Sequence, residues 1–251
     1  MSYSFYLISA LVVFFFSGLL AMAGLGAAFL FVPFFYYMGV PLSEATPIAL
    51  LLNVTSLIFA AGNYWRGHLV NWQVGVPTLM VAVILAPFGA RLTPYVDKTL
   101  LLGMFAAFLV FAGLMMLFYK AKARAKPLSQ RAEAAAGAGI GSVAGFLGGL
   151  LGVGGGNFIV PVLNWMGIDA KIAAGTTAMV VVFASFSGFL GHATLGGLNH
   201  LFIGLMAMMA ALGSIAGSQL MKTKLSSSQL KKIIGVLLWL IAAKMIFDLV
   251  K

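Results

Sequence analysis

The 251-residue chain has no cysteine. That excludes disulfides, thiolate catalysis and cysteine-ligated metals. Charge is almost as scarce, with only 8% of residues being Asp, Glu, Lys or Arg. No apolar run carries a pair of carboxylates, and the His-Glu-x-x-His, Gly-x-Ser-x-Gly and phosphate-loop patterns are missing. The sequence therefore predicts no enzyme, no catalytic residue, no metal and no cofactor. Without a phosphate loop, a self-contained ATP-driven pump is also disfavoured. Acids are fewest of all, five against fifteen Lys and Arg, for a net charge of +10. The bases sit between apolar runs, where membrane topology places them, so nucleic acid is not an expected partner.

What the chain has is apolar surface: 62% hydrophobic residues and a mean hydropathy of +1.08. A soluble core cannot absorb that much, so lipid is the expected solvent. Runs of roughly 20 apolar residues, each able to cross a ~30 Å hydrocarbon core, occupy 46–64, 72–92, 98–119, 172–193, 200–220 and 229–250. The N-terminal run lacks a basic start and a convincing small-residue cleavage site, which predicts a retained membrane helix.

Two further runs, 3–38 and 134–167, carry the same motif. Gly24-Leu-Gly-Ala-Ala-Phe-Leu-Phe-Val-Pro33 is repeated as Gly152-Val-Gly-Gly-Gly-Asn-Phe-Ile-Val-Pro161, at a constant separation of 128. Gly39/Gly167 keep that separation, Ala45/Ala174 and Gly62/Gly191 continue at 129, and Gly89/Gly217 return to 128. At ~1.5 Å per residue each run would make a helix of about 50 Å, too long for one span and too short for two. One full helix, a glycine break and a short returning segment resolve the mismatch. Irregular backbone at such depth must be buried in protein or line a cavity.

The sequence thus predicts an all-α polytopic membrane protein of two inverted repeats, each of five membrane segments with a glycine-broken half helix. The first repeat covers 1–119, a basic cytoplasmic linker 120–132, and the second repeat 133–251. Lys120, Lys122, Arg124, Lys126 and Arg131 crowd that linker, and Lys222, Lys224, Lys231 and Lys232 crowd another loop. With an odd span count both clusters, and the Arg66/His68 loop, fall on the cytoplasmic side. Both termini then lie outside, where Arg91, Lys98 and Lys251 are diluted by Glu44 and Asp97. Tyr36, Tyr37, Trp65, Trp72, Tyr119 and Trp165 read as an interfacial aromatic belt.

A glycine-broken segment at matching positions of two halves points to a transporter's substrate site. Gly24, Gly26, Gly152, Gly154, Gly155 and Gly156 free the backbone for a turn or a close approach. Two short helices starting there would aim unpaired N–H groups at an anion. The plainer reading of the same glycines is helix packing. Asn53, Ser56 and Asn63 make a polar stripe on one helix, and Ser185 and His192 match Ser56 and Asn63 at a separation of 129. Asn157, Thr176 and Thr177 add polar groups near the second break. These side chains line a cavity or serve as interhelical hydrogen bonds. His192 is a candidate proton carrier or a simple hydrogen-bonding residue. Lys244 is expected to snorkel, and Glu44 and Asp169 to be solvated or to cap helices.

The doubled break followed by Val-Pro, the loop Trp65-Arg66-Gly67-His68-Leu69-Val70-Asn71-Trp72 and the helix end Gly89-Ala90-Arg91-Leu92 together resemble the sulfite exporter TauE/SafE family. The resemblance covers nearly the whole chain. It implies an inner-membrane, multi-pass permease for small sulfur-containing anions such as sulfite, thiosulfate or organosulfonates. The second break follows the family pattern. The first departs from it, with Ala27 and Ala28 where glycines are usual, and Asn71 stands where an acid is common. The expectation is a secondary transporter working by alternating access. Open alternatives are an anion channel formed as an oligomer and a permease for another small organic anion. Expected partners are a small anion, the bilayer and, as an alternative, a second copy in a homodimer.

Overall fold

The computed structural model describes residues 3–118, 129–192, 200–221 and 227–250. Among these the chain forms ten α-helices and no strand. They are α1 (Tyr3–Ala21), α2 (Ala28–Tyr37), α3 (Leu42–Arg66), α4 (Trp72–Leu92), α5 (Lys98–Phe118), α6 (Gln130–Leu151), α7 (Gly156–Trp165), α8 (Ala170–His192), α9 (His200–Met221) and α10 (Ser227–Val250). Five of the described helices, α3, α4, α6, α8 and α9, are long and apolar enough to cross a membrane. Their outward faces carry exposed Met80, Ile84, Phe88, Phe183 and Leu190, side chains that only lipid or a partner would solvate well.

Both overlong runs are broken as expected, α1 from α2 and α6 from α7. The long helix ends the same way in each half. Gly24 and Gly152 take left-handed φ of +68°, and the next N–H, of Leu25 or Val153, reaches back five residues to Leu20 O or Gly148 O. That double stop satisfies carbonyls a helix end would otherwise leave unpaired. Gly39 and Gly167 end α2 and α7 by the same device, at φ +89° and +86°, with Val40 N on Phe35 O and Ile168 N on Leu163 O.

Starts are fixed by side chains. Asn71 Oδ1 accepts from Gln73 N (2.9 Å) at α4, Asp97 Oδ1 from Thr99 N at α5 and Asp169 Oδ1 from Lys171 N at α8. Asp169 is thus a capping acid. Ser129 Oγ accepts from Ala132 N, so α6 begins inside the stretch read as linker. The rest of that linker, together with Tyr119, Lys222, Lys224 and Lys251, lies outside the described residues.

The two halves pack through matched pairs. α4 lies along α6 as α9 lies along α1, α5 meets α10, and α3 meets α8. Glycine permits the closest of these contacts. Gly137, Gly141, Gly145 and Gly149 form a stripe at every fourth residue of α6, facing Val74, Thr78, Ala82 and Ala86 of α4 in the same order. The two helices therefore run parallel. A β-carbon at Gly141 would sit 2.5 Å from Thr78 O, and one at Gly145 would sit 2.5 Å from Ala82 Cα. Gly213 and Gly217 of α9 abut the backbone at Phe14 and Gly18 of α1 in the same manner. With no hydrophobic drive between lipid-bathed helices, such backbone proximity and its dispersion contacts supply the attraction.

Gly141→Ala and Gly145→Ala should each lower the melting temperature in detergent. Overpacking of ~1–3 kcal/mol exceeds the ~0.5–1 kcal/mol that Ala gains in helix propensity. Gly139 of the same helix, whose β-carbon would meet nothing within 4 Å, should respond with the opposite sign. Thermal unfolding of the three variants checks this, and equal shifts would show that the stripe is not a tight contact.

Candidate functional site

The two breaks meet. Gly156, the first residue of α7, lies so close to the first break that a β-carbon there would be 2.5 Å from Leu25 O. Between the breaks runs Asn53, fully buried near the middle of α3. Its Oδ1 accepts a hydrogen bond from Ala28 N (3.3 Å), the first N–H of α2. Its Nδ2 donates to Ser185 Oγ (2.9 Å) on α8. Gly26 and Gly154 take matching left-handed φ of +73° and +72°, and both are pressed against this pair. A β-carbon on Gly26 would collide with Asn53 Oδ1, and one on Gly154 would lie 2.5 Å from both Asn53 Nδ2 and Ser185 Oγ. Gly26, Asn53, Gly154 and Ser185 thus form one cluster at the crossing of α3 and α8.

The crossing has a definite sense. Leu50 neighbours Gly188, Asn53 bonds Ser185 and Tyr64 packs on Gly175, so α3 and α8 run antiparallel. Asn53 Oδ1 supplies a negative partial charge to the first N–H of α2, the same role an anion's oxygen would play. α7 differs. Its N-cap is Gly155, left-handed at φ +75°, where the first break has Ala27 at −109°. Among the described residues no side chain caps the first turn of α7. Gly155 itself abuts Ala144 O, and Gly24 and Gly152 abut Ala174 O and Thr46 of the opposite half.

The remaining predicted residues divide into two sets. Ser56, Asn157 and Thr177 are fully buried, and Ser56 Oγ, Thr177 Oγ1 and both amide atoms of Asn157 have no hydrogen-bond partner among the described residues. Others are interhelical ties. Asn63 Nδ2 donates to Ser218 Oγ on α9 (3.1 Å). Thr176 Oγ1 accepts from Asn71 N (2.9 Å), and His192 Nε2 lies 3.2 Å from Gly149 O. The equivalence of Asn63 and His192 in the sequence therefore ends in different partners. Lys244, expected to snorkel, lies over the Tyr37 ring at 4.5 Å and pairs with Asp248 at 3.2 Å.

Two features escaped the sequence reading. Tyr64 donates its hydroxyl to Met22 O at the first break (2.7 Å), a contact across 42 residues that no local pattern signals. Asn164, seven residues beyond Asn157 in α7, is buried with Oδ1 unpartnered. The spacing of seven in an apolar helix was the available signal.

A family model for "Sulfite exporter TauE/SafE" matches residues 9–245, and the chain belongs to this family. Relatives include the "Probable membrane transporter protein YunE" of Bacillus subtilis, 23% identical over 253 residues, covering 91% of this chain and 92% of the relative. The "Probable membrane transporter protein YdhB" of the same organism is 25% identical, covering 77% and 81%. A probable membrane transporter protein of Methanocaldococcus jannaschii is 23% identical, covering 69% and 67%. No solved structure gives a significant match. With five described helices able to span a bilayer, this is an integral membrane protein.

Asn53 and Ser185 should be energetically coupled. A double-mutant cycle of Asn53→Ala and Ser185→Ala, read by unfolding in detergent, is expected to give a coupling of ~0.5–1.5 kcal/mol, the net value of one buried hydrogen bond. Simple additivity would show that the crossing is not held by this bond.

Proposed function

We propose that this member of the TauE/SafE family is a secondary transporter in the inner membrane. It carries a small anion by alternating access between two inverted halves, with the substrate at the α3–α8 crossing. The observation that carries the reading is the convergence of two short helices on one buried polar pair, α2 through Ala28 N and α7 through Gly154 and Gly156. Unpaired N–H groups and the helix dipoles make that point attractive to a compact negative charge without any buried lysine. Asn157, Ser56 and Thr177 add neutral donors whose hydrogen bonds are unmet in this conformation. Each net hydrogen bond is worth only ~1 kcal/mol, so such a site can release what it binds.

Inverted insertion is supported by the packing. α3 and α8 are equivalent in the repeat, through Ala45/Ala174 and Ser56/Ser185, yet they cross antiparallel. A two-fold axis that exchanges two antiparallel helices lies across them, hence in the plane of the membrane. The same axis exchanges the α4–α6 and α1–α9 contacts. The basic residues at 120–131 and 222–232 then share the cytoplasmic side.

Membership in the family supports a sulfur oxyanion or an organosulfonate as the substrate class, sulfite being the first to test. Flux into proteoliposomes, measured with sulfite, thiosulfate, a taurine-like sulfonate, acetate and chloride, is the experiment. Saturation with trans-stimulation by a sulfur oxyanion is the expected result. Unsaturated conductance would replace the carrier with an oligomeric channel. Transport of a cation or neutral solute with no competing anion would overturn the reading.

A further inference from the structure

The two short helices are equivalent in the repeat but not in chemistry. Asn157 and Asn164 of α7 stand where α2 has Phe29 and Tyr36, at the constant separation of 128. Seven residues apart, the two asparagines share one face of α7. They are only 1% and 2% exposed. Both amide atoms of Asn157, and Oδ1 of Asn164, lack any hydrogen-bond partner among the described residues. Unmet amides away from water are destabilising, and an apolar residue of similar size would avoid the loss. The first half has Phe29 at the equivalent position, fully buried. The first half is thus apolar at this position, whereas α7 keeps two amides in line.

Their placement gives the line a direction. Asn157 lies in the first turn of α7, beside the uncapped N-terminus and the α3–α8 crossing. Asn164 lies about 10 Å further along the helix at ~1.5 Å per residue, near its C-terminal end. We infer that the Asn157–Asn164 face of α7 is the polar wall along which an oxyanion passes between the central crossing and one side of the membrane. The corresponding positions of α2, Phe29 and Tyr36, are aromatic and form the side that stays closed to it. This rests on the transport reading above and adds to it a route and an asymmetry between the halves. Amide N–H groups donate to the anion's oxygens as it moves, and no fixed positive charge detains it.

The chain's lack of cysteine makes the test direct. Single variants Asn157→Cys, Asn164→Cys and Phe29→Cys are reconstituted in proteoliposomes and treated with 2-sulfonatoethyl methanethiosulfonate from each side. The expected result is modification of the Asn157→Cys and Asn164→Cys variants from one side only, at least tenfold faster than of Phe29→Cys. Protection by isethionate or sulfate is also expected. Modification without protection by any anion would leave the route standing and remove the anion from the function proposed above. Failure of both asparagine variants to react from either side overturns the route. If Asn157→Cys does not fold, Asn164→Cys decides alone. Asn164→Leu supplies an independent readout. Removal of a buried side chain whose carbonyl oxygen is unmet should raise the melting temperature in detergent, whereas a fall would reveal a structural role and overturn the inference.

Discussion

A backbone N–H left unpaired out of water is costly, and this fold meets that constraint at one of its two interruptions while leaving it open at the other. Where α2 starts, the first N–H finds Asn53 Oδ1 from α3. The same side chain then spends its Nδ2 on Ser185 of α8. One residue thus ties a helix start in the first half to a helix in the second. That bond requires α3 and α8 to cross at this level, and the crossing brings the second break against the first, Gly156 on Leu25. The rest of the bundle, α4 on α6 and α1 on α9, closes around this point and excludes lipid from it.

Glycine appears in two roles that a sequence writes with the same letter. In the breaks it supplies left-handed φ, at Gly24, Gly26, Gly152, Gly154 and Gly155. In α6 it is an ordinary helical residue whose missing side chain lets α4 approach, at Gly141 and Gly145. Packing alone explains the glycines of α6, whereas at the breaks the left-handed turn and the close approach fall on the same residues, as at Gly26 and Gly154 against Asn53. What separates them in advance is spacing. A four-residue period over Gly137–Gly149 marks a stripe, while paired clusters with Val-Pro at one offset mark a break.

This accounts for how much was legible. The broken helices, the cap at Asp169 and the polar stripe of α3 and α8 follow from local pattern and from repetition, since matching halves double every signal. The partners of the stripe do not. Asn53 and Ser185 are 132 residues apart, and Asn63 and Ser218 are 155 apart. Which hydroxyl meets which amide depends on helix crossing angles that no periodicity encodes. Asn63 and His192 show the consequence, equivalent in the repeat and bonded to unlike groups, a serine hydroxyl and a backbone carbonyl. Asn164 was missed because a lone amide in an apolar helix looks like tolerated noise until its burial and lack of a partner are known.

The asymmetry between the halves bears on how a transporter of this design would work. A perfect two-fold would offer the solute two identical half-helices and two identical exits. Here α2 already has its first donor satisfied by a neutral amide oxygen, and α7 does not. In the transport reading the Asn53 oxygen is a resident substitute for the anion at α2, exchangeable because one net hydrogen bond is weak. A carboxylate at the same place would hold the helix end more tightly and repel an incoming anion at short range. The neutral amide keeps the backbone paired when the site is empty and lets the pairing change when it is filled. α7, left uncapped and lined by Asn157, is then the end with donors to spare. In that reading the donors left over lie on the α7 side of the crossing, opposite α2 and Asn53.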